Sequence, residues 1–340
     1  MKQRLISWML LLSLGLSLFL CGCTPLTKFQ TVYLDLFDTV TVVSGYAKSQ
    51  AAFDKVAAQI HDELLEYHQD YDIYNEYPGR NNLATINAHP GETVPVSDRI
   101  LDLLRLGQAV YDQTGGAVNI AMGSVLYLWH QARESEPHVL PDEGALRDAA
   151  KHCDISDLRL EDGAVTLLDE KMRLDVGAIA KGYATEQVAR GLEAQGLSGY
   201  LLSVGGNVRT VGRKPDGSGW VIGVEDPDES GALLLTLNVE AGSVVTSGDY
   251  QRYFVVDGVR YCHIIDPQTL FPATRYSGVT IFGPDSGQAD ALSTALFLLP
   301  QEEGAALLPE GYGALWADPE ENLTATPLFR SAVREAGLLP

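Results

Sequence analysis

SGQADALSTALFLL, residues 286–299, has the spacing of one helix and is apolar almost all round, which is typical of a buried helix. Three oxygen-bearing side chains, those of Asp290, Ser293 and Thr294, nevertheless lie in its middle, and their spacing brings them to one face. A buried carboxylate is costly unless it has a partner or a cation. Either Asp290 accepts a neighbouring N–H and Thr294 bonds back to its own helix, or this face holds a hard cation through oxygen ligands.

Composition limits the partners of the chain. It has 340 residues, of which 46% are hydrophobic, enough to bury a sizeable core in one large domain or two ordinary ones. Its formal net charge of −21 argues against nucleic acid and against a polybasic membrane-binding surface. A phosphate-bearing ligand would therefore need a local cation, helix N-termini or backbone amides to hold it.

The N-terminus is predicted to be a targeting segment. Lys2 and Arg4 precede an unbroken run of apolar and small residues, 5–20, that is short for a membrane-spanning helix. The sequence LCGC, residues 20–23, follows and resembles a bacterial lipobox, with Cys23 as the lipidated residue. An uncleaved membrane anchor is the alternative, and with either one the domain would work on the extracytoplasmic face of the cell membrane.

These features divide the chain into three predicted segments. Residues 1–22 are a lipoprotein signal peptide, residues 23–30 a tether, and residues 31–340 the working domain. Export would permit a disulfide between Cys153 and Cys262, although their distance in sequence gives no geometric reason for one.

Strand and helix patterns follow one another along the working domain. Strands are predicted at 32–43, 200–204, 220–224, 233–239, 243–246, 278–282 and 312–317, and hairpins at 158–168 and 253–265. Helices are predicted at 47–67, 97–111, 141–152, 180–195 and 286–299. Because no long linker interrupts the region after residue 30, we predict one interwoven α+β domain of mixed sheet and helices, with one lobe or two.

A turn of small residues in this domain has the pattern of an anion site. Asp175 is predicted to end a strand, Gly177 permits close approach of the backbone, and a helix begins near Ala180. A strand, a tight turn and a helix in this order aim backbone amides at an anion. Many α/β turns share this pattern, so it indicates a ligand only in combination with other motifs.

Five motifs occur in a fixed order, and their combination is more specific than any one of them. They are LDVGAIAKGYA (174–184), SVGGN (203–207), TSGDYQRYF (246–254), HIIDPQTLFPA (263–273) and ADALSTALFLL (289–299). Together with the lipobox they resemble the FAD:protein FMN transferases, the ApbE-like family formerly tied to thiamine biosynthesis. The resemblance covers nearly the whole mature chain, from Phe37 onward.

The resemblance implies a Mg²⁺-dependent transferase with FAD, its substrate, in a cleft that would lie between the lobes. Such an enzyme cleaves FAD between its phosphates, attaches FMN through a phosphoester bond to a Thr or Ser of an acceptor protein, and releases AMP. Two alternatives remain open at this stage: a flavin-binding lipoprotein without turnover, and a pyrophosphatase that releases FMN and AMP.

Matching the family's motifs residue by residue assigns the metal. The resemblance implies that the metal takes the backbone carbonyl of Ala178 and the side chains of Asp290 and Thr294. Ser293 stands where some members carry an Asp, so one charge is absent here.

The same matching assigns the flavin contacts and a base. The implied flavin contacts are Phe37, Ala117, Val118, Asn119, Asp175, Lys181 and Ile265, with Tyr74 or Tyr77 as an aromatic contact. His263 matches a motif histidine and is the implied general base. From the residues alone, Lys181 could equally be a solvated lysine, Asp175 a turn cap, and His263 a structural histidine.

Overall fold

The computed structural model describes residues 25–227, 231–335 and 337, so the predicted lipidation site, Cys23, lies outside the described residues. Strand β1 begins at Thr27, inside the segment predicted to be a tether, and the folded domain therefore begins earlier than predicted. Over the described ranges, no helix combines the length and the apolar character needed to cross a membrane.

Strands and helices are numbered separately in chain order. The strands are β1 (Thr27–Leu36), β2 (Thr39–Ala47), β3 (Thr93–Pro95), β4 (Leu158–Glu161), β5 (Ala164–Leu167), β6 (Tyr200–Val204), β7 (Asn207–Val211), β8 (Trp220–Glu225), β9 (Leu233–Val239), β10 (Ser243–Gly248), β11 (Tyr253–Val256), β12 (Val259–Cys262), β13 (Gly278–Gly283), β14 (Gly313–Ala317) and β15 (Leu323–Ala325). The helices are α1 (Gln50–Tyr71), α2 (Leu83–Ala88), α3 (Asp98–Gln113), α4 (Gly123–Glu134), α5 (Glu143–Ala149), α6 (Ala180–Ala194), α7 (Ser286–Leu298), α8 (Gln301–Ala306) and α9 (Pro327–Ala332).

An antiparallel sheet of eight strands forms the centre, in the order β1-β2-β6-β7-β10-β13-β14-β15. Helices α1, α6 and α7 pack with it around the largest cluster of buried side chains. The hairpin β8–β9 and helix α9 bury a second cluster around Trp220 and Phe329. The predicted α+β fold class is thus confirmed, and the sheet is buried by different elements in the two clusters.

A third, smaller cluster joins α4 and α5 to the hairpin β11–β12. Its buried members include Trp129, Phe254 and Ile265. The indole N–H of Trp129 donates to the carbonyl of Leu270 at 2.9 Å, which ties α4 to the loop after β12. This cluster forms one wall of the cavity described below.

Helix α7 is buried over most of its length, as its composition predicts. Asp285 caps its N-terminus by accepting the Gln288 N–H at 2.8 Å. A second carboxylate, that of Glu186 on α6, accepts the Ser286 N–H at 2.8 Å. Glu186 is buried and is paired with the guanidinium of buried Arg209 at 2.9 Å, so its charge is compensated.

Two sequence predictions about local structure are wrong. Residues 32–43 are not one strand, because the chain reverses at Phe37 and Asp38, whose φ angles are 53° and 50°. Two consecutive residues with positive φ form a tight hairpin turn, usually signalled by Asn-Gly, which is absent here. Asp175 does not end a strand but lies in an irregular segment before α6.

Helix α4 was not predicted, although the sequence carried a signal for it. Val125, Trp129 and Ala132 are spaced by four and three residues and are buried on one face. The helices at 97–111 and 180–195 were predicted to within a few residues, because Ser97 caps the first and Gly196 follows the second.

Candidate functional site

A cavity of about 910 Å³ lies between the sheet, helices α6 and α7, and the third cluster. The residues that line it include most of those predicted from the sequence: Phe37, Tyr74, Ala117, Val118, Asn119, Asp175, Ala178, Lys181, His263, Ile265, Asp290 and Thr294. They come from distant parts of the chain and are brought together only by the fold. The size suits a large organic ligand.

Helices α6 and α7 meet closely at Gly182. The Gly182 N–H belongs to the first turn of α6 and donates to Asp290 Oδ2 at 2.8 Å. A Cβ atom at Gly182 would lie 2.4 Å from Asp290 Cβ and 2.4 Å from the Ser286 carbonyl oxygen. Only glycine allows this approach, and the Asp290 carboxylate thereby serves as a cap for α6.

The Asp290 carboxylate is buried, with 4% of the residue exposed. Burial raises its pKa, while Lys181, the Gly182 amide and a hydrogen bond from Asn207 oppose that rise. The Asp290 carboxylate therefore accepts a neighbouring N–H, as the first alternative drawn from the sequence expects. This hydrogen bond leaves room for a cation, since Asp290 also lines the cavity.

The hydroxyl groups beside Asp290 divide into two roles. Ser293 Oγ donates to the Asp290 backbone carbonyl at 2.9 Å and lies 2.7 Å from Ser247 Oγ. The hydroxyl that bonds back to its own helix is thus that of Ser293, whereas one of the two alternatives drawn from the sequence assigned this bond to Thr294. Thr294 Oγ1 lies 3.4 Å from Ser247 Oγ and lines the cavity, where it can offer an oxygen to a ligand.

His263 presents an imidazole to the cavity in one defined tautomer. Its Nδ1 lies 3.1 Å from the Arg252 carbonyl oxygen, which can only accept, so Nδ1 carries the proton and Nε2 is an acceptor. Desolvation by the surrounding walls, followed by the charges of Lys181 and Arg252, lowers the pKa of His263 to about 4. The ring remains open to cavity water, yet the direction of the shift keeps it neutral at neutral pH.

Positive side chains line the cavity although the protein as a whole is acidic. Lys181 Nζ donates to the Gly177 carbonyl at 3.1 Å, and Arg133 Nη2 lies 2.8 Å from His130 Nδ1. Burial raises the pKa of the Asp175 carboxyl, which the Gly177 N–H, His130 and Lys181 partly offset. The cavity therefore offers local cations to a phosphate-bearing ligand.

Tyr77 is the one predicted flavin contact that the cavity lining does not include, whereas its alternative, Tyr74, is part of that lining. The Tyr77 hydroxyl instead donates to Asp72 Oδ2 at 2.8 Å and lies 3.3 Å from His68 Nε2. His68 Nδ1 accepts the Phe37 N–H at 3.1 Å, and Asp72 Oδ1 accepts the Tyr74 N–H at 2.7 Å. Through His68 and Asp72, Tyr77 thus links the backbone N–H groups of Phe37 and Tyr74, two residues that line the cavity.

The Asp72 carboxyl, which ends this chain of hydrogen bonds, has a lowered pKa. Burial by itself would raise the pKa, but hydrogen bonds from Asn75, Tyr74 and Tyr77 outweigh the burial, so the carboxylate stays ionised as an acceptor. The Phe37 turn is held from its other side by Arg252, whose Nη2 donates to the Asp38 carbonyl at 2.9 Å.

Sequence reasoning missed the cavity residues on α4, and it missed Arg252, which follows β10. Trp129, His130 and Arg133 line the cavity from α4, and the Tyr74 ring packs on His130 with centroids 4.8 Å apart. Arg252 lies within the motif TSGDYQRYF, but nothing in the motif shows that it faces the same cavity as His263. The helical spacing of apolar residues could have predicted α4 from the sequence, whereas nothing in the sequence indicates that Arg252 faces the cavity.

Comparisons with known proteins point to one family. The family model described as the ApbE family matches residues 35–316. An FAD:protein FMN transferase of Treponema pallidum is 36% identical over 317 residues, which cover 87% of this chain and 86% of that relative. An FAD:protein FMN transferase of Vibrio cholerae is 30% identical over 262 residues, covering 76% of this chain and 75% of that relative.

Solved structures share the fold over nearly the full length. The ApbE protein of Thermotoga maritima aligns with a TM-score of 0.81 and 28% identity, covering 91% of this chain and 100% of that chain. The flavin transferase ApbE of Vibrio cholerae aligns with a TM-score of 0.78 and 26% identity, covering 91% of this chain and 100% of that chain.

The hydrogen bonds of Tyr77 lead to a prediction about the cavity wall. Tyr77→Phe removes the hydroxyl that joins His68 to Asp72, and we expect it to lower the free energy of unfolding by about 0.5–1.5 kcal/mol. Amide hydrogen exchange at Phe37 and Tyr74 should accelerate, because His68 and Asp72 then hold those amides less firmly.

The matched control is Tyr127→Phe, at an exposed tyrosine on α4 whose ring packs under Arg173. We expect this variant to change neither the stability nor the exchange of the two amides. Unchanged exchange at Phe37 in Tyr77→Phe would show that Tyr77 does not support the wall.

Proposed function

Since this chain belongs to the ApbE family, we propose that it transfers FMN from FAD to a Thr or Ser hydroxyl of an acceptor protein and releases AMP. The chain is accordingly a flavin transferase, and the finer parts of the proposal concern its residues, its metal and its anchor. The observation that carries the proposal is one cavity that combines local cations, a buried carboxylate and a neutral histidine.

The proposed reaction is a displacement at phosphorus. The acceptor's hydroxyl oxygen bonds to the phosphorus of the FMN half as the bond from that phosphorus to the bridging oxygen breaks. AMP leaves with the bridging oxygen and its electron pair, and the hydroxyl proton passes to His263 Nε2. Lys181 and Arg252 orient the negatively charged pyrophosphate beside this ring.

The proposal assigns His263 the role of general base. Its low pKa keeps Nε2 unprotonated at neutral pH and therefore able to accept a proton. A bound pyrophosphate would offset the charges of Lys181 and Arg252, which contribute to that low value. The pKa would then rise towards the working pH, where proton acceptance is most effective.

The donor set fits a Mg²⁺ ion. The Asp290 carboxylate, the Thr294 hydroxyl and the Ala178 carbonyl are all oxygens, which Mg²⁺ prefers. Within the described ranges no group of three His, Cys, Asp or Glu side chains could hold a metal, so one carboxylate must act with the substrate's phosphates. When bound, the ion would neutralise phosphate charge and polarise the phosphorus.

We also propose that Cys23 carries a lipid that holds the enzyme on the extracytoplasmic face of the cell membrane. The support is the lipobox-like sequence at residues 20–23 after a short apolar run. Strand β1 begins at Thr27, only a few residues beyond Cys23, so such an anchor would keep the domain close to the membrane surface.

Transfer and its metal dependence are tested together. Full-length protein, FAD and Mg²⁺ are incubated with a candidate acceptor, which should gain the mass of one covalently bound FMN in mass spectrometry. Asp290→Ala should reduce transfer to background. The substitution removes a buried charge but also the acceptor of the Gly182 N–H, so thermal unfolding is measured on the same preparation to check the expectation that the variant remains folded.

The control for this experiment is Asp162→Ala, at an exposed turn outside the cavity, which should transfer normally. Release of free FMN and AMP without acceptor labelling would favour the pyrophosphatase. Full Mg²⁺-dependent transfer by Asp290→Ala would show that the metal assignment is wrong.

His263→Ala is expected to bind FAD and Mg²⁺ but to transfer FMN on the order of 10²-fold more slowly, because the proton acceptor is lost. In the wild type, kcat/KM should stay level through neutral pH and fall as the pH approaches about 4, where Nε2 becomes protonated. Single-turnover transfer and FAD binding are measured on the same preparation.

His89→Ala, at an exposed histidine outside the cavity lining, serves as the control and should transfer at the wild-type rate. If His263→Ala binds FAD normally and transfers at an unchanged rate, His263 has no part in proton removal.

The anchor is tested by Cys23→Ala, which should release the protein from the membrane fraction. Intact mass should show lipid on the wild type and none on the variant. An unmodified Cys23 with Met1 retained in the wild type would refute the anchor.

A further inference from the structure

Asn207 is a buried cavity residue to which neither the sequence motifs nor the predicted metal set gives a role. It opens β7 directly after the turn at Gly205 and Gly206, and its backbone is paired with Val204 and Val245 on the two neighbouring strands. Only 2% of the residue is exposed, yet it lines the cavity that Asp290 and Thr294 also line. Its position is therefore fixed by the central sheet.

The side chain of Asn207 reaches the surroundings of the Asp290 carboxylate, since it is one of the groups that lower the pKa of Asp290 against the effect of burial. Its amide oxygen, Oδ1, is buried and has no hydrogen-bond partner in the structure.

An unsatisfied buried amide oxygen is unfavourable by about 1–3 kcal/mol, so a buried position of this kind normally has a partner. Here the orphaned oxygen belongs to a side chain beside a buried carboxylate, at a cavity that the Thr294 hydroxyl also lines. Neutral amide oxygens are ordinary ligands of hard divalent cations. The missing partner of Oδ1 is therefore best supplied by a cation.

We propose that Asn207 Oδ1 is a further ligand of the divalent cation at Asp290 and Thr294. The inference rests on the metal site of the proposed function. It gives the site a neutral oxygen in addition to the single carboxylate, the hydroxyl and the Ala178 carbonyl. It also gives a physical reason for burying a polar amide at the first position of a central strand.

The test measures metal binding without relying on catalysis. Mn²⁺ is titrated into the full-length protein in detergent, and the free ion is followed by its electron paramagnetic resonance signal, which is lost on binding. Asn207→Leu removes both the oxygen and the amide N–H, and Asn207→Asp removes the N–H but keeps an oxygen. Asn238→Leu, at an exposed position of β9, is the matched control.

We expect Asn207→Leu to weaken Mn²⁺ binding about 10- to 100-fold, the range typical when groups supporting a metal site are lost. Asn207→Asp should bind Mn²⁺ at least as tightly as the wild type, because a carboxylate oxygen replaces the amide oxygen. Asn238→Leu should bind as the wild type does. Thermal unfolding of each variant with and without Mn²⁺ separates loss of metal from loss of fold.

Two outcomes overturn the ligand role. Asn207→Leu could bind Mn²⁺ as tightly as the wild type, or Asn207→Asp could bind as weakly as Asn207→Leu, which would show that an oxygen at this position does not hold the ion. A wild type that binds no Mn²⁺ overturns the metal site and this ligand with it. FMN transfer by the wild type in the same preparation tests the proposed function separately, since that result does not depend on Asn207.

Discussion

The structure depends on a reciprocal contact between helices α6 and α7. Asp290 of α7 accepts the Gly182 N–H in the first turn of α6, and Glu186 of α6 accepts the Ser286 N–H at the start of α7. Each helix thus satisfies a free N-terminal amide of the other with a buried carboxylate. Because a Cβ at Gly182 would collide with Asp290, the contact tolerates no side chain there.

The two carboxylates of this contact have different surroundings, and these set different roles. Glu186 is paired with Arg209 and Arg190, so its charge is compensated and it holds the helices in place. Asp290 has no comparable ion pair among the described residues and faces a cavity. The same fold therefore uses one buried carboxylate for stability and leaves the other available to a cation.

The cavity also shows how an acidic protein can receive an anionic substrate. A net charge of −21 acts over the whole surface, whereas Lys181 and Arg252 act inside one walled space where water screens them less. The same two cations, together with desolvation, keep His263 neutral. Under the proposed mechanism, substrate binding and proton acceptance would both depend on this local arrangement of charges and not on the bulk charge of the protein.

The sequence by itself determined helix α7, the approximate ends of the helices at 97–111 and 180–195, and the family, because these follow from spacing, side-chain type and motif order within short segments. It also determined which residues to examine at the site, and all the described ones except Tyr77 line one cavity. Only the tertiary structure showed that Tyr77 supports the wall, that α4 and Arg252 complete it, and that Asn207 presents an unpaired oxygen beside Asp290. These features arise from contacts between residues far apart in the chain, and local spacing carries no record of which distant groups a side chain will meet.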